Sequence, residues 1–158
     1  MFREMRRFKQ ALSQEECIEV LQNEPRGVLS LSGDDGYPYG IPMDHWYCEE
    51  DGNLYFHCAK AGHKLDALKA CSKVSFCVYD QGYRREGEWA LNIRSVVIFG
   101  QLHVVEDPEK TKKICTNLCQ KFTDDEAYLE HELTHSLPNV LCLELVPEHI
   151  TGKLVNES

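Results

Sequence analysis

The sequence has no run of apolar residues long enough to cross a membrane as a helix. Its first residues, Met1-Phe2-Arg3-Glu4-Met5-Arg6-Arg7, are charged and lead into no apolar stretch of signal-peptide length. Both absences set the expectation of a cytoplasmic protein. Positive charge is scarce: 17 Lys and Arg stand against 26 Asp and Glu, a formal net charge of −9. Nucleic acids and anionic membranes demand a cationic surface, so neither is expected as a partner. A small anionic molecule stays open, provided that its site is locally positive. No two of the eight cysteines form a Cys-x-x-Cys pair, which removes the usual signal of a zinc ribbon or a thioredoxin-type site. In a reducing compartment Cys17, Cys48, Cys58, Cys71, Cys77, Cys115, Cys119 and Cys142 are expected as free thiols, most of them small buried apolar groups. No Gly-x-Gly-x-x-Gly follows a predicted strand and regular β-α-β alternation is missing, so a dinucleotide-binding parallel sheet is not expected.

What is there reads as one soluble domain over residues 1–158, with 42% hydrophobic and 27% charged residues and no repeat or linker. Ser13-Gln14-Glu15-Glu16 is a capping box that opens a helix with Cys17, Ile18, Val20 and Leu21 as its apolar stripe, and Pro25 ends it. Residues 28–32 read as a strand, Gly33-Asp34-Asp35-Gly36 as a tight turn and residues 37–47 as the hairpin partner. Further strands are predicted over 54–59, 73–79 and 140–145. A long one covers 89–105, with a bend at Gly100. A short helix is predicted over 63–71, and two more over 108–122 and 125–137. Six strands in mostly hairpin order predict a mainly β fold, an antiparallel barrel with flanking helices.

Three stretches carry residue types suited to a ligand. In Leu54-Tyr55-Phe56-His57-Cys58-Ala59-Lys60-Ala61-Gly62-His63-Lys64-Leu65 a strand runs through a glycine turn into a helix, with Lys60, His63 and Lys64 around the helix start. The helix dipole disfavours cations there, and a bound anion reverses that balance by drawing on both the free N–H groups and Lys64. A phosphate site is inferred, against the alternative of ordinary solvated side chains. In the long strand, Ser95 shares a face with Leu91, Ile93, Val97 and Phe99 and is its only hydroxyl. That face is expected to be buried, so the hydroxyl needs a partner, either a phosphate or a backbone carbonyl. Arg94 points to the other face. Pro42, inside Tyr39-Gly40-Ile41-Pro42-Met43-Asp44-His45-Trp46-Tyr47, removes a ladder donor and marks an edge or a distortion where backbone can meet a flat ligand.

His131-Glu132-Leu133-Thr134-His135 matches the His-Glu-x-x-His pattern of zinc hydrolases, in which two histidines bind the metal and the glutamate is general base. Its context argues against that use. The helix's apolar stripe is Leu129, Leu133 and Leu137, and the two histidines lie about 200° around the helix from it. Pro138 closes the helix within a turn.

Taken in order, several segments resemble the pyridoxamine 5'-phosphate oxidase-like FMN-binding split-barrel proteins, and among them the nitroimidazole-resistance (nitroreductase-like) branch. They are Met5-Arg6-Arg7 with Leu12-Ser13, Gly27-Val28-Leu29-Ser30-Leu31, Asp35-Gly36-Tyr37-Pro38-Tyr39 with Ile41-Pro42-Met43, Leu54 to Ala59 with Gly62-His63-Lys64, Ser95-Val96 with Gly100, Glu106-Asp107-Pro108-Glu109-Lys110, and Glu148-His149-Ile150-Thr151-Gly152-Lys153. The resemblance implies a six-stranded Greek-key split barrel that forms a homodimer with two FMN sites at the interface. It implies Lys64 and Ser95 at the phosphate with Val96 beside them, Pro42 and Met43 along the flavin ring, and His57, Cys58 and Ala59 lining the site. Trp46 or Trp89 is implied as a stacking group from the partner. The basic tail residues of the phosphate oxidase itself are missing, so the resemblance does not extend to vitamin B6 oxidation. The function it implies is reduction of a small organic substrate, with nitroaromatics as candidates, using NAD(P)H as electron donor. His57 is the candidate proton donor, because imidazole changes charge near neutral pH. The competing readings are a non-catalytic flavin or haem carrier or sensor and, more remotely, a zinc hydrolase built on His131, Glu132 and His135.

Overall fold

The computed structural model describes residues 1–156. Helix α1 (Gln14–Asn23) starts at the expected box: Ser13 Oγ accepts from the Glu16 amide at 3.1 Å and the Glu16 carboxylate accepts from the Ser13 amide at 2.8 Å. Its Cys17, Val20 and Leu21 are fully buried against the sheet. The strands are β1 (Arg26–Ser32), β2 (Pro38–Asp44), β3 (Trp46–Tyr47), β4 (Leu54–Ala59), β5 (Lys73–Tyr79), β6 (Asn92–Val105) and β7 (Val140–Asn156). Helices α2 (His63–Ala70), α3 (Pro108–Gln120) and α4 (Glu126–His135) complete the described residues. No helix among them is long and apolar enough to cross a membrane.

All strand pairs are antiparallel, in the order β2-β1-β5-β6-β7-β4-β3. The two edge strands of this sheet, β2 and β3, are neighbours in the chain, separated only by His45. The sheet must therefore curl until its edges meet. Its concave side holds the main core, which includes Leu29, Phe56, Phe76, Val96, Ile98 and Leu145. A second cluster forms where α3 lies over the other side of β4 and β7, with Tyr55, Ile114, Cys115, Leu118 and Cys142 buried there.

The fold is mainly β as expected, with seven strands in place of six. The predicted strand over 37–47 breaks at His45, which is fully buried at the seam. Its Nε2 donates to the Leu21 carbonyl at 2.7 Å, and its amide donates to Pro25 O, so the residue turns inward and splits the strand. The last strand runs on past residue 145 to Asn156. Pro147, which has no N–H to give, is accommodated at an irregularity: Phe99 pairs with His149 and Gly100 with Pro147, leaving Glu148 as the extra residue of a bulge. The bend expected at Gly100 sits at this point. A Cβ there would lie 2.3 Å from Val146 O, so only glycine allows the two strands to approach so closely. Trp89 lies outside β6, which starts at Asn92.

Candidate functional site

Strand β4 ends at Ala59, and the chain turns through residues 60–62 into α2. Gly62 sits at φ 135°, a conformation that other L-residues rarely adopt, and no side chain caps the helix. The first N–H groups of α2 thus have no capping acceptor. Leu65 and Ala67 are buried and hold the helix on the barrel. His63 stacks on Tyr39, ring centroids 4.0 Å apart, with its Nε2 3.7 Å from Asp34 Oδ2. Lys64 is half-buried, and its Nζ lies 3.4 Å from the Met43 sulfur. No carboxylate pairs with this ammonium among the described residues. A thioether is a weak acceptor, so the charge is poorly compensated. Burial raises the Cys58 thiol while the nearby Lys64 charge pulls it down. Met43, Cys58 and Lys64 are therefore one neighbourhood at the mouth of the barrel. Pro42 stands next to them on β2, exposed and opposite Val28, on a true sheet edge as the sequence suggested.

The other expected residues fall elsewhere. Along β4 the side chains alternate: Leu54, Phe56 and Cys58 join the main core, while Tyr55 joins the second cluster. His57 follows Tyr55 to that side. It lines a cavity of about 60 Å³ with Cys115, Cys119, Glu132, Leu133, Ser136, Leu137 and Val140, on the opposite face of the strand from Cys58. Ala59 is exposed and pairs with Val140.

On β6 the burial is the reverse of the expectation. Val96, Ile98 and Leu102 are buried in the core, and Ser95 lies on the outer face with Val97 and Phe99. It is half-buried and pairs with Tyr79 and Lys153. The even-numbered face won because it meets α1 and the curled interior. Arg94 shows this directly, reaching Asp80 at 2.9 Å and Glu19 of α1 at 3.2 Å. Lys64 and Ser95 accordingly belong to opposite sides of the sheet within one chain. The outer face is apolar and open: Val28 is 37%, Tyr79 59% and Phe99 43% exposed. Sequence reasoning missed it, although Val96-Val97-Ile98-Phe99 carries the signal, a strand apolar on both faces. Trp46 packs over Tyr55 in the second cluster, with ring centroids 5.4 Å apart, and Trp89 is 74% exposed in the loop between β5 and β6.

In α4 the His131 and His135 rings stack on each other at 4.0 Å, and Glu132 accepts a hydrogen bond from Ser136 Oγ at 2.8 Å. No group of three His, Cys, Asp or Glu among the described residues is arranged to hold a metal ion. Strongly moved titration points include those of Tyr55 and Cys142, both raised, and those of His45 and Lys121, both lowered. Burial, aided by the Lys121 charge, takes His45 down to about 4. Burial likewise takes Lys121 down to about 8, where its Nζ donates to the backbone carbonyls of Glu24 and His45.

Residues 13–154 match the family model described as pyridoxamine 5'-phosphate oxidase. A search of the curated proteins finds no match. Among solved structures, the chain is similar to a candidate 5-nitroimidazole antibiotic resistance protein from Bacteroides thetaiotaomicron, at 17% identity and a TM-score of 0.77 over 92% of this chain and 87% of that one. It is similar to the flavocytochrome Anf3 from Azotobacter vinelandii at 20% identity and a TM-score of 0.78, over 96% and 72% of the two chains. It is also similar to an FAD-binding protein from Mesorhizobium loti at 23% identity and a TM-score of 0.66, over 92% and 97%. At these identities the likeness is one of fold.

Proposed function

This chain belongs to the pyridoxamine 5'-phosphate oxidase family, and from that premise we propose that it is a flavoprotein: a split barrel that binds FMN between two copies of itself and reduces a small organic substrate. The observation that carries this reading is the half-buried Lys64 ammonium at the uncapped start of α2, whose hydrogen-bonding neighbour among the described residues is the Met43 thioether, with no carboxylate paired to it. An unpaired cation and unpaired N–H groups at one point are the donor set that a phosphate requires. Structural likeness to an FAD-binding protein and to a flavocytochrome supports a flavin as the molecule that carries the phosphate.

When bound, the flavin would supply the redox chemistry, with reduced nicotinamide as the electron source. The protein's part is binding and orientation. Lys64 neutralises the phosphate. Met43 offers an apolar surface beside it, with Cys58 on the same side, while Pro42 faces outward opposite Val28 and leaves the edge strand short of one ladder donor. Ala59 ends the strand that leads into the site. Val96 is wholly buried between its partners on β5 and β7, so it supports Ser95 from within the sheet and does not itself face a ligand. Ser95 sits on the outer face and joins Lys64 only if it comes from a second copy. That copy would cover the patch of Val28, Tyr79 and Phe99, which a lone chain leaves to water. Likeness to the Bacteroides protein makes nitroaromatics the first substrates to try.

The rival reading, a flavin or haem carrier or sensor, draws support from His57. Its imidazole faces the cavity beneath α4, so it serves as a proton donor only to a substrate that enters from that side. The test is to purify the protein, denature it and identify the released flavin. Stoichiometric FMN is expected, and its bleaching by NADH or NADPH without oxygen separates enzyme from carrier. A colourless protein that takes up no added flavin would overturn the proposal.

A further inference from the structure

Cys115 on α3 and Cys142 on β7 bring their sulfurs to 3.7 Å, the only thiol–thiol hydrogen bond among the described residues. The two come from elements separated by the whole of α4, so the contact is a product of the tertiary fold. Cys142 is fully buried and has the Thr111 carbonyl as its other polar neighbour, at 3.9 Å. Cys115 is 7% exposed and borders the cavity of about 60 Å³ that His57, Cys119 and Glu132 also line. A space of that size holds about two water molecules. With Cys115 only 7% exposed and Cys142 fully buried, a reagent as small as hydrogen peroxide reaches the pair far more readily than a bulky disulfide such as oxidised glutathione.

We infer that Cys115 and Cys142 are a peroxide-oxidised dithiol, with Cys115 as the attacking sulfur and Cys142 as the resolving one. The roles follow from access: of the two, Cys115 borders the cavity, and Cys142 stands behind it at contact distance. The hydrogen bond between the two sulfurs lowers the Cys115 thiol and favours its nucleophilic form. In the first step Cys115 sulfur attacks one peroxide oxygen, the O–O bond breaks, and the thiol proton joins the departing hydroxide as water. Cys115 is then a sulfenic acid. In the second step Cys142 sulfur attacks it, the S–O bond breaks, and the oxygen leaves with the Cys142 proton as a second water. Two thiols and one peroxide give one disulfide and two waters, so the sulfur pair loses the two electrons that the peroxide gains. The sulfurs must close from 3.7 Å to about 2.05 Å, a shift within reach of a side-chain rotation. The resulting bond ties α3 to the middle of β7. This inference is independent of the flavin proposal.

The test uses the reduced full-length chain. It is exposed to stoichiometric hydrogen peroxide, its remaining thiols are blocked with N-ethylmaleimide, and the non-reducing peptide map is read by mass spectrometry. The expected result is a Cys115–Cys142 crosslink as the dominant link, two hydrogens lighter than its parts and reversed by dithiothreitol. Oxidised glutathione at the same concentration should leave both thiols alkylated. Cys119→Ser, at a partly exposed position, should keep the link. A sulfinic acid at Cys115 with Cys142 still alkylated would overturn the inference. So would a dominant link through Cys119 or Cys58, loss of the link in Cys119→Ser, or no reaction at Cys115. The decisive map is of the unaltered protein, so no variant has to fold for the answer to count.

Discussion

Burial acts on His45 in one direction. The ring is fully enclosed at the barrel seam, edge-on to Phe76, with Nε2–H given to Leu21 O and Nδ1 without a hydrogen-bond partner among the described residues. Charging it would place a cation among apolar groups and next to Lys121, so its folded pKa falls from 6.5 to about 4. The unfolded chain takes up this proton near 6.5 and the folded chain only near 4, so the unfolded state binds more protons in between. Stability contributed by neutral His45 is complete above pH 6.5 and is lost as pH falls toward 4, by about 3 kcal/mol for a shift of this size. Urea unfolding should show this as a falling midpoint from pH 7 to 4.5. His45→Gln, which keeps a donor for Leu21 O and cannot titrate, should show a shallower fall. Equal slopes for the two proteins would remove His45 from the account.

At the scale of elements, β6 is the most telling. Its inner face fills the core, and its outer face carries Ser95, Val97 and Phe99 into an open apolar patch with Val28 and Tyr79. If a second copy covers that patch, Phe99→Glu buries a charge in the interface and should turn a dimer into a monomer in sedimentation analysis, with flavin lost at the same time. A wild-type protein that sediments as a monomer would contradict this. The same strand marks the limit of sequence reading. The capping box of α1 was legible because its partners lie three residues apart, and the bend at Gly100 because glycine declares it. The side on which Ser95 lies was not legible, because alternation carries no sign when both faces are apolar. The break at His45 and the continuation of β7 through Pro147 were hidden for a related reason. Each depends on a partner far away in the chain, Leu21 in one case and the β6 bulge in the other.

Over the whole molecule, curling the sheet until its edges meet brings β2, β4 and α2 to one mouth of the barrel. There Met43, Cys58 and Lys64 gather from three different elements. Their cluster was legible as a list of residues. Its division from Ser95, by the thickness of the sheet, was not. The account rests on Lys64 gripping a phosphate, and the most direct measurement is calorimetric titration of FMN and of riboflavin, which differs only in lacking the phosphate, into the wild-type protein and Lys64→Met. A charge-assisted contact is worth about 1.5–3 kcal/mol, so FMN should bind the wild type at least about tenfold more tightly than riboflavin, and the gap should collapse in Lys64→Met. Riboflavin binding as tightly as FMN, or a gap that survives the loss of Lys64, would contradict it.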